Sequence, residues 1–105
     1  MKTWIGAIAL VGVLTSCEAA AQGQVYGYGA TSCGKFASNN KEAQEEYMVW
    51  VSGYASSLSG QTGVKYFNGA DAEGRLLWIL NYCRAHPLEK FVVATEMLLL
   101  ELDVK

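Results

Sequence analysis

The sequence predicts an all-α domain, a small bundle of one short and three longer helices with one disulfide. In three long segments the apolar residues recur at steps of three and four, which places them on one face of a helix. Stretches rich in Gly, Asn and Ser, or containing the single proline, separate these segments and predict where helices end. Two cysteines far apart in the chain supply the candidate disulfide.

Residues 1–21 have the features of an export signal. Lys2 supplies a positive start, and residues 4–14 form an apolar run that is too short to span a bilayer as a helix. The alanines at residues 19–21 supply a cleavage site of small residues, so we expect Gln22 to begin the mature chain. The sequence therefore predicts export to the periplasm, and it contains no second apolar stretch long enough for a transmembrane helix.

A second way of processing this segment stays open. Residues 14–17, Leu-Thr-Ser-Cys, also match a bacterial lipobox, in which Cys17 would become the lipidated first residue of a lipoprotein. Lipidation would anchor the chain to a membrane without spanning it. The alanines at residues 19–21 favour ordinary cleavage and a soluble product, so a small envelope lipoprotein is the alternative.

Export to an oxidising compartment favours a disulfide between Cys33 and Cys83. Without the signal, one domain of roughly 80 residues remains, and a domain of that size buries only about 60% of its unfolded surface. Closing a loop of about 50 residues stabilises a fold by roughly 4 kcal/mol, because the unfolded chain loses entropy. We therefore expect this disulfide to be a condition of folding.

The mature chain begins with a stretch rich in Gly and Tyr. Residues 22–30 show no clear period and predict an extended arm, which is followed by a helical domain over residues 31–105. Thr31 or Ser32 can cap a short helix that carries Cys33, because a hydroxyl oxygen accepts a hydrogen bond from one of the first free N–H groups of a helix.

The first long helix is predicted from a cap at Asn39 to about Leu58. Its apolar face contains these positions at alternating steps of four and three: Ala43, Tyr47, Val51, Tyr54 and Leu58. Gly53 costs such a helix about 1 kcal/mol relative to alanine, which predicts a close approach by another backbone. We expect Trp50, Gly53 and Tyr54 to make the contact between helices.

The second long helix can begin at a cap on Asn68 or Asp71 and is predicted to run to about His86. Its core face contains Ala72, Leu76, Ile79 and Cys83. Pro87 ends this helix, because the residue before a proline avoids the helical region and a proline fits the first turn of a new helix. The final helix is therefore predicted over residues 88–102.

The final helix is apolar around most of its circumference. Such a helix lies at the centre of the core or contributes to an interface, which here would be that of a homodimer. Trp78, Val93 and Met97 are large apolar residues on the flanks of the last two helices. They are the candidate surface for a protein partner.

Charge and residue types argue against nucleic-acid binding and catalysis. The 8 basic and 10 acidic residues give a net charge of −2, and the basic residues are scattered along the sequence. Residues 29–35 match the start of a phosphate-binding loop, but Phe36 stands where a Ser or Thr must bind magnesium. Cys83 and His86 cannot form a four-ligand zinc site with the other mature cysteine alone. The sequence predicts a protein that is not an enzyme and has no cofactor and no metal.

Three motifs in order resemble the HdeA/HdeB family of small periplasmic acid-stress proteins. They are S-C-G-K-F at residues 32–36, W-V-S-G-Y at residues 50–54 and Y-C-R-A-H-P at residues 82–87. In the family, a tyrosine and a proline stand where this chain has Tyr82 and Pro87. The resemblance implies a helical fold with a Cys33–Cys83 disulfide. It also implies an acid-activated chaperone that is a dimer near neutral pH and binds unfolding client proteins when acidified.

The same helices also resemble Tai-type immunity proteins, which protect against type VI secretion effectors. The resemblance lies in residues 82–87, followed by Ala94 and the leucine-rich residues 98–102. It implies a small exported helical protein that presents a rigid surface to one specific effector and binds it tightly at neutral pH. The predicted function is therefore holdase-type binding of proteins, with an immunity or inhibitor protein as the alternative.

Overall fold

The computed structural model describes residues 23–67 and 69–103. Residues 1–21, Cys17 and Asn68, which the sequence assigns to a signal, a lipidation site and a cap, lie outside the described residues. The described chain folds into four α-helices: α1 (Cys33–Ser38), α2 (Lys41–Thr62), α3 (Ala72–Ala85) and α4 (Phe91–Asp103). This confirms the predicted all-α fold of one short and three longer helices.

A 3₁₀ helix at Gly27–Ala30 takes the place of part of the predicted extended arm. Trp50 of α2 holds the chain here, because its indole N–H donates to the carbonyl of Tyr26 at 3.2 Å and its ring covers Gly29. A Cβ atom on residue 29 would overlap that ring, so only glycine lets this segment lie so close to α2. The end of the arm therefore packs on the body of the protein.

Asn39 and Asn40 lie between α1 and α2, and each forms a hydrogen bond with a different one of these helices. α1 is capped by Ser32, one of the two predicted caps, whose Oγ accepts the N–H of Lys35 at 3.1 Å. α2 is capped by Asn40 and not by Asn39, and its side-chain oxygen accepts the N–H of Ala43 at 2.9 Å. Asn39 instead donates its side-chain amide to the carbonyl of Lys35 at 2.8 Å, which closes α1.

α2 runs past the predicted end at Leu58 to Thr62 and stops at Gly63. Gly63 has φ 79°, a left-handed conformation that glycine adopts without strain, and its N–H donates to the carbonyl of Ser59 at 2.8 Å. Ser59 and Gly60 stay helical because the turn that ends the helix forms only at Gly63.

α3 begins at one of its two predicted caps, Asp71, whose carboxylate accepts the N–H of Gly74 at 2.7 Å. A carboxylate at this end also interacts favourably with the helix dipole. The helix ends at Ala85, and His86 follows as its C-cap, close to the predicted end.

α4 begins at Phe91 and not at residue 88, so the prediction that Pro87 lies in its first turn is wrong. Residues 86–90 instead form a turn that accepts two backbone hydrogen bonds from the start of α1: Gly34 to the Pro87 carbonyl (2.9 Å) and Cys33 to the Glu89 carbonyl (2.7 Å). The first N–H groups of a helix have no partner within it, so these bonds stabilise α1. The same two bonds favour the turn conformation of residues 86–90 over a helical continuation of α4.

Cys33 of α1 and Cys83 of α3 form the predicted disulfide, with Cα atoms 4.7 Å apart and a sequence separation of 50. Both side chains are fully buried. α1 has only 6 residues, which is too short for a helix to be stable on its own. The disulfide and the turn at residues 86–90 therefore hold α1 in place together.

The core lies where α1, α3 and α4 meet one face of α2. Its most buried members include Phe36, Tyr47, Val51, Ile79, Phe91, Ala94 and Leu98. The ring centroid of Phe91 lies 4.8 Å from that of Phe36 and 5.0 Å from that of Tyr47. Burying one such large apolar side chain stabilises a fold by about 1.5–3 kcal/mol. α4 is thus central in the core on one face, while Met97 and Leu100 are exposed on the other.

Candidate functional site

Three tyrosine hydroxyls link elements of the fold by donating hydrogen bonds to glutamate carboxylates. The pairs are Tyr28 to Glu46 (3.0 Å), Tyr54 to Glu96 (2.9 Å) and Tyr82 to Glu89 (2.8 Å). They join the 3₁₀ helix to α2, α2 to α4, and α3 to the turn at residues 86–90. An ionised acceptor makes such a bond stronger than one between neutral groups. We refer to these three pairs as the Tyr–Glu links.

Neighbouring rings pack against the tyrosines of all three Tyr–Glu links. Tyr28 stacks on Tyr47 with ring centroids 4.2 Å apart. Trp50 stacks on Tyr54 with ring centroids 5.3 Å apart, because residues four apart lie on the same face of a helix. Tyr82 is stacked between Trp78 at 5.7 Å and His86 at 4.3 Å, again at intervals of four residues. The motifs W-V-S-G-Y and Y-C-R-A-H-P thus each place an aromatic ring beside a tyrosine that bonds to a glutamate.

The Tyr–Glu links raise the pKa of their tyrosines above the ordinary value. For Tyr54 the largest cause of the raised pKa is burial, and the hydrogen bond to Glu96 adds to it. For Tyr28 and Tyr82 the largest cause is the hydrogen bond to the paired glutamate, whose negative charge also disfavours a tyrosinate. The three hydroxyls therefore remain protonated donors at neutral pH and above.

Two further contacts bring a nitrogen of a basic side chain close to a carboxylate. Lys41 at the start of α2 pairs with Glu73 at the start of α3, with Nζ 3.4 Å from Oε1 and both side chains exposed. His86 Nδ1 lies 3.3 Å from Oε2 of Glu89, whose other oxygen accepts the hydroxyl of Tyr82. Glu89 therefore connects the end of α3 to the turn through two partners.

Within residues 23–67 and 69–103, a carboxylate is the acceptor in every hydrogen bond between side chains of different elements, with one exception. That exception is Thr31, whose hydroxyl donates to the hydroxyl of Tyr47 at 3.3 Å. In the same part of the chain, every buried side-chain nitrogen and oxygen has a hydrogen-bond partner. Most side chain to side chain bonds between elements therefore end on a carboxylate, while the Gln44 amide donates to the Phe36 carbonyl of α1 at 3.3 Å and does not depend on charge.

Of the three residues predicted to make the contact between helices, Trp50 and Tyr54 contact α4 and Gly53 does not. Trp50 and Tyr54 pack together, and the Trp50 ring lies 6.1 Å from that of Phe91. Gly53 is exposed, and a Cβ atom there would meet no atom within 4 Å, so the predicted close approach of a backbone at Gly53 is wrong. The sequence alone does not show that this glycine lies on the solvent side of α2.

The candidate partner residues Trp78, Val93 and Met97 differ in their exposure. Trp78 and Val93 are partly buried. Trp78 packs against the core, because the partly buried side of α3 extends beyond Leu76, Ile79 and Cys83. Met97 alone of the three is exposed, at 41%. The more exposed large apolar residues of the described part are Tyr26, Val49, Leu77, Leu88 and Leu100. The sequence did not indicate that Leu88 is exposed, because Leu88 lies within the helix predicted over residues 88–102.

Other candidate sites are open or incomplete. A groove of about 700 Å³ between α2 and the loop that contains Tyr66 is open to solvent. Residues 29–35 are divided between the 3₁₀ helix and α1, with Cys33 in the disulfide, so they form no phosphate-binding loop. In the described part of the chain, no three His, Cys, Asp or Glu side chains gather as a metal-ligand set. None of the helices described is both long and apolar enough to cross a membrane.

Comparison with known proteins finds no matching family model, no matching curated protein and no matching solved structure. The resemblances to the HdeA/HdeB family and to Tai-type immunity proteins therefore stay predictions that depend on the sequence motifs.

Proposed function

We propose that the protein is a periplasmic, holdase-type protein that binds other proteins when acid activates it. The observation that carries this proposal is the set of Tyr–Glu links. A neutral carboxyl group is a weaker acceptor than a carboxylate, so protonation of a glutamate weakens the link to which it belongs. This response agrees with the resemblance to the HdeA/HdeB family.

α2 is the element that we expect acid to loosen first. Three of its contacts include a carboxylate: Glu46 with the 3₁₀ helix, Tyr54 with α4 and Lys41 with α3. Two others do not depend on charge, since Gln44 donates to the Phe36 carbonyl of α1 and Trp50 to the Tyr26 carbonyl. The disulfide between α1 and α3 is a covalent bond that acid leaves intact. Loss of the carboxylate contacts therefore favours separation of α2 from a remainder that stays connected.

Release of α2 exposes the kind of surface that unfolding proteins bind. Tyr47, Val51 and Ala55 of α2 are buried against the rest of the fold. The ring of Tyr47 lies 5.1 Å from that of Phe36 and 5.0 Å from that of Phe91, measured between centroids. Separation uncovers these apolar side chains on both sides of the interface, and apolar segments of a client protein can then cover them again.

Net charge acts in the same direction. At neutral pH the 10 acidic residues outweigh the 8 basic residues of the chain. Protonation of the acidic residues leaves a cationic chain whose like charges repel one another, and this repulsion destabilises the compact state. Loss of the Tyr–Glu links and charge repulsion therefore favour the same opening.

Aggregation of an acid-labile client protein tests the proposal. The light scattering of the client is measured with and without this protein, at strongly acidic and at neutral pH. We expect the protein to suppress aggregation in acid only. No suppression at either pH would contradict the proposal. A single partner bound in a fixed ratio at neutral pH would then support the immunity or inhibitor alternative.

Glutamine variants test whether the Tyr–Glu links set the pH of activation. Glu46→Gln combined with Glu96→Gln keeps the shape of both acceptors and removes their charge, so we expect suppression to begin at a milder pH. Glu45→Gln is the matched control, because Glu45 is exposed on the same helix and belongs to no Tyr–Glu link. Equal activation curves for the double variant and the control would exclude the links as the acid-sensitive element.

A further inference from the structure

The turn at residues 86–90 presents an exposed leucine at a fixed point of the surface. Leu88 is 95% exposed, more than any other large apolar side chain of the described residues. Pro87 beside it is exposed as well. The hydrogen bonds from Gly34 and Cys33 hold the backbone of the turn in place, so Leu88 projects from a rigid support.

The fold places three basic residues around this turn. Lys35 lies on α1 directly after the residue that bonds to the turn, Arg84 lies in the last turn of α3, and Lys90 ends the turn and pairs with Ser32. All three are exposed, and none of them forms an ion pair with another described residue. We call Leu88 and these three basic residues the Leu88 tip.

Glu89 is the acidic residue within the turn, and its carboxylate accepts the hydroxyl of Tyr82 at 2.8 Å and lies 3.3 Å from His86. A hydrogen bond from a neutral hydroxyl leaves the negative charge of Glu89 in place. Asp71 and Glu73 lie at the opposite end of α3, a helix of 14 residues that is about 21 Å long. The three basic residues of the Leu88 tip therefore outnumber the one acidic residue of the turn, on a chain whose net charge is −2.

A single leucine among basic residues suits a lipid bilayer better than a protein surface. A stable protein interface takes about 800 Å² from each partner and roughly 20–30 residues a side. The Leu88 tip offers one large apolar side chain. Binding to a bilayer needs only an apolar group that reaches the acyl chains and basic groups that lie at the level of anionic headgroups. The tip supplies both.

We propose that the Leu88 tip docks the protein on a bilayer that contains anionic lipids. Leu88 enters the boundary between headgroups and acyl chains, and Lys35, Arg84 and Lys90 bind the lipid phosphates. This docking takes place at neutral pH with α2 in its place in the core. It therefore stands or fails independently of the acid-activated binding of client proteins.

Flotation with lipid vesicles tests the docking. The full chain is mixed at neutral pH with vesicles of phosphatidylcholine, either alone or together with phosphatidylglycerol. We expect the protein to bind the mixed vesicles, with binding that high salt weakens because salt screens the charges. Equal binding to both kinds of vesicle, or to neither, would overturn the proposal. Binding to neither would leave Leu88 as a contact for a protein partner.

Substitutions in the Leu88 tip locate the binding site. We expect Leu88→Asp to lower binding at least tenfold and Lys35→Ala or Lys90→Ala to lower it roughly fivefold each. These side chains are exposed, so their replacement leaves the core intact. Leu100→Asp is the matched control, since Leu100 is 58% exposed on α4 and lies outside the tip. The apolar run at residues 4–14 is common to all variants, so it contributes equally to each.

A fluorescence measurement shows whether residue 88 enters the bilayer. Leu88→Trp adds an indole at the tip, and we expect its emission, taken as the difference from the wild type with its three tryptophans, to shift to the blue when mixed vesicles are added. Leu100→Trp adds one on α4, and its emission should not shift. A shift at residue 100 without one at residue 88 would overturn the proposal, as would Leu88→Asp binding as tightly as the wild type.

Discussion

Loss of the Cys33–Cys83 disulfide is expected to remove a large part of the stability of the fold. The bond closes a loop with a sequence separation of 50, and both cysteines are fully buried. Opening this loop returns about 4 kcal/mol of chain entropy to the unfolded state. A domain of about 80 residues has roughly 4–12 kcal/mol of stability in total. The double variant Cys33→Ala/Cys83→Ala therefore keeps at most about two thirds of that stability.

The position of the bond makes α1 the helix most affected by its loss. α1 has 6 residues and is too short to form on its own. Without the bond it is held by the packing of Phe36 and by the backbone hydrogen bonds to the turn at residues 86–90. We expect hydrogen exchange at the amide of Gly34 to become faster in the variant by a larger factor than exchange in α3.

Urea unfolding followed by circular dichroism measures the effect. We expect the free energy of unfolding to fall by about 4 kcal/mol and Tm to fall by roughly 20 °C. Cys17→Ala is the control, because it leaves the bonded pair intact and should unfold like the wild type. A decrease of less than about 1 kcal/mol would refute the reasoning, since it would mean that the bond does not constrain the unfolded chain.

The remaining predictions concern one tyrosine and two glycines. The pKa of Tyr54 is higher in the folded state than the ordinary tyrosine value of about 10. The contribution of protonated Tyr54 to the stability of the fold is therefore complete below that ordinary value and is lost as the pH rises through the higher folded pKa. Tyr54→Phe should therefore reduce the alkaline loss of stability in urea unfolding, and an unchanged pH profile would contradict this. Gly29→Ala should destabilise by about 1–3 kcal/mol, because the added methyl group overlaps the Trp50 ring. Gly53→Ala should stabilise the fold by about 1 kcal/mol, because the space around Gly53 is open. Effects of the same sign at both glycines would contradict the contrast between a crowded position 29 and an open position 53.

The parts of the fold that the sequence predicted correctly depend on local interactions. Ser32 and Asp71 cap helices because their own side chains reach N–H groups three residues later. Tyr47 and Val51 share a buried face because residues four apart lie on the same side of a helix. Caps and periodicity therefore predict the helices from the chain alone.

Two of the errors lie where a distant segment decides the conformation. Pro87 suits both the first turn of a helix and a turn, and the N–H groups of α1 select the turn. Gly53 fits either a close contact or an exposed position, and only the packing of α2 shows that it is exposed. Neither outcome can be derived from the neighbouring residues in the sequence.

The candidate sites show the same limit. The sequence motifs indicated Tyr54 but not its acceptor, which lies 42 residues further along the chain. Lys35, Arg84 and Lys90 are scattered in the sequence, and the disulfide and the pairing of α1 with the turn bring them to one end of the molecule. A surface made from three separate segments has no signature in the order of its residues.

The disulfide also determines how a pulling force passes through the molecule. Cys33 and Cys83 enclose α2 in a covalent ring, while the 3₁₀ helix and α4 lie outside the ring. Tension between the two ends of the chain crosses from Cys33 to Cys83 through the sulfur atoms and does not stretch α2. α2 can therefore leave the core and return to it without changing the length of the path that carries the force.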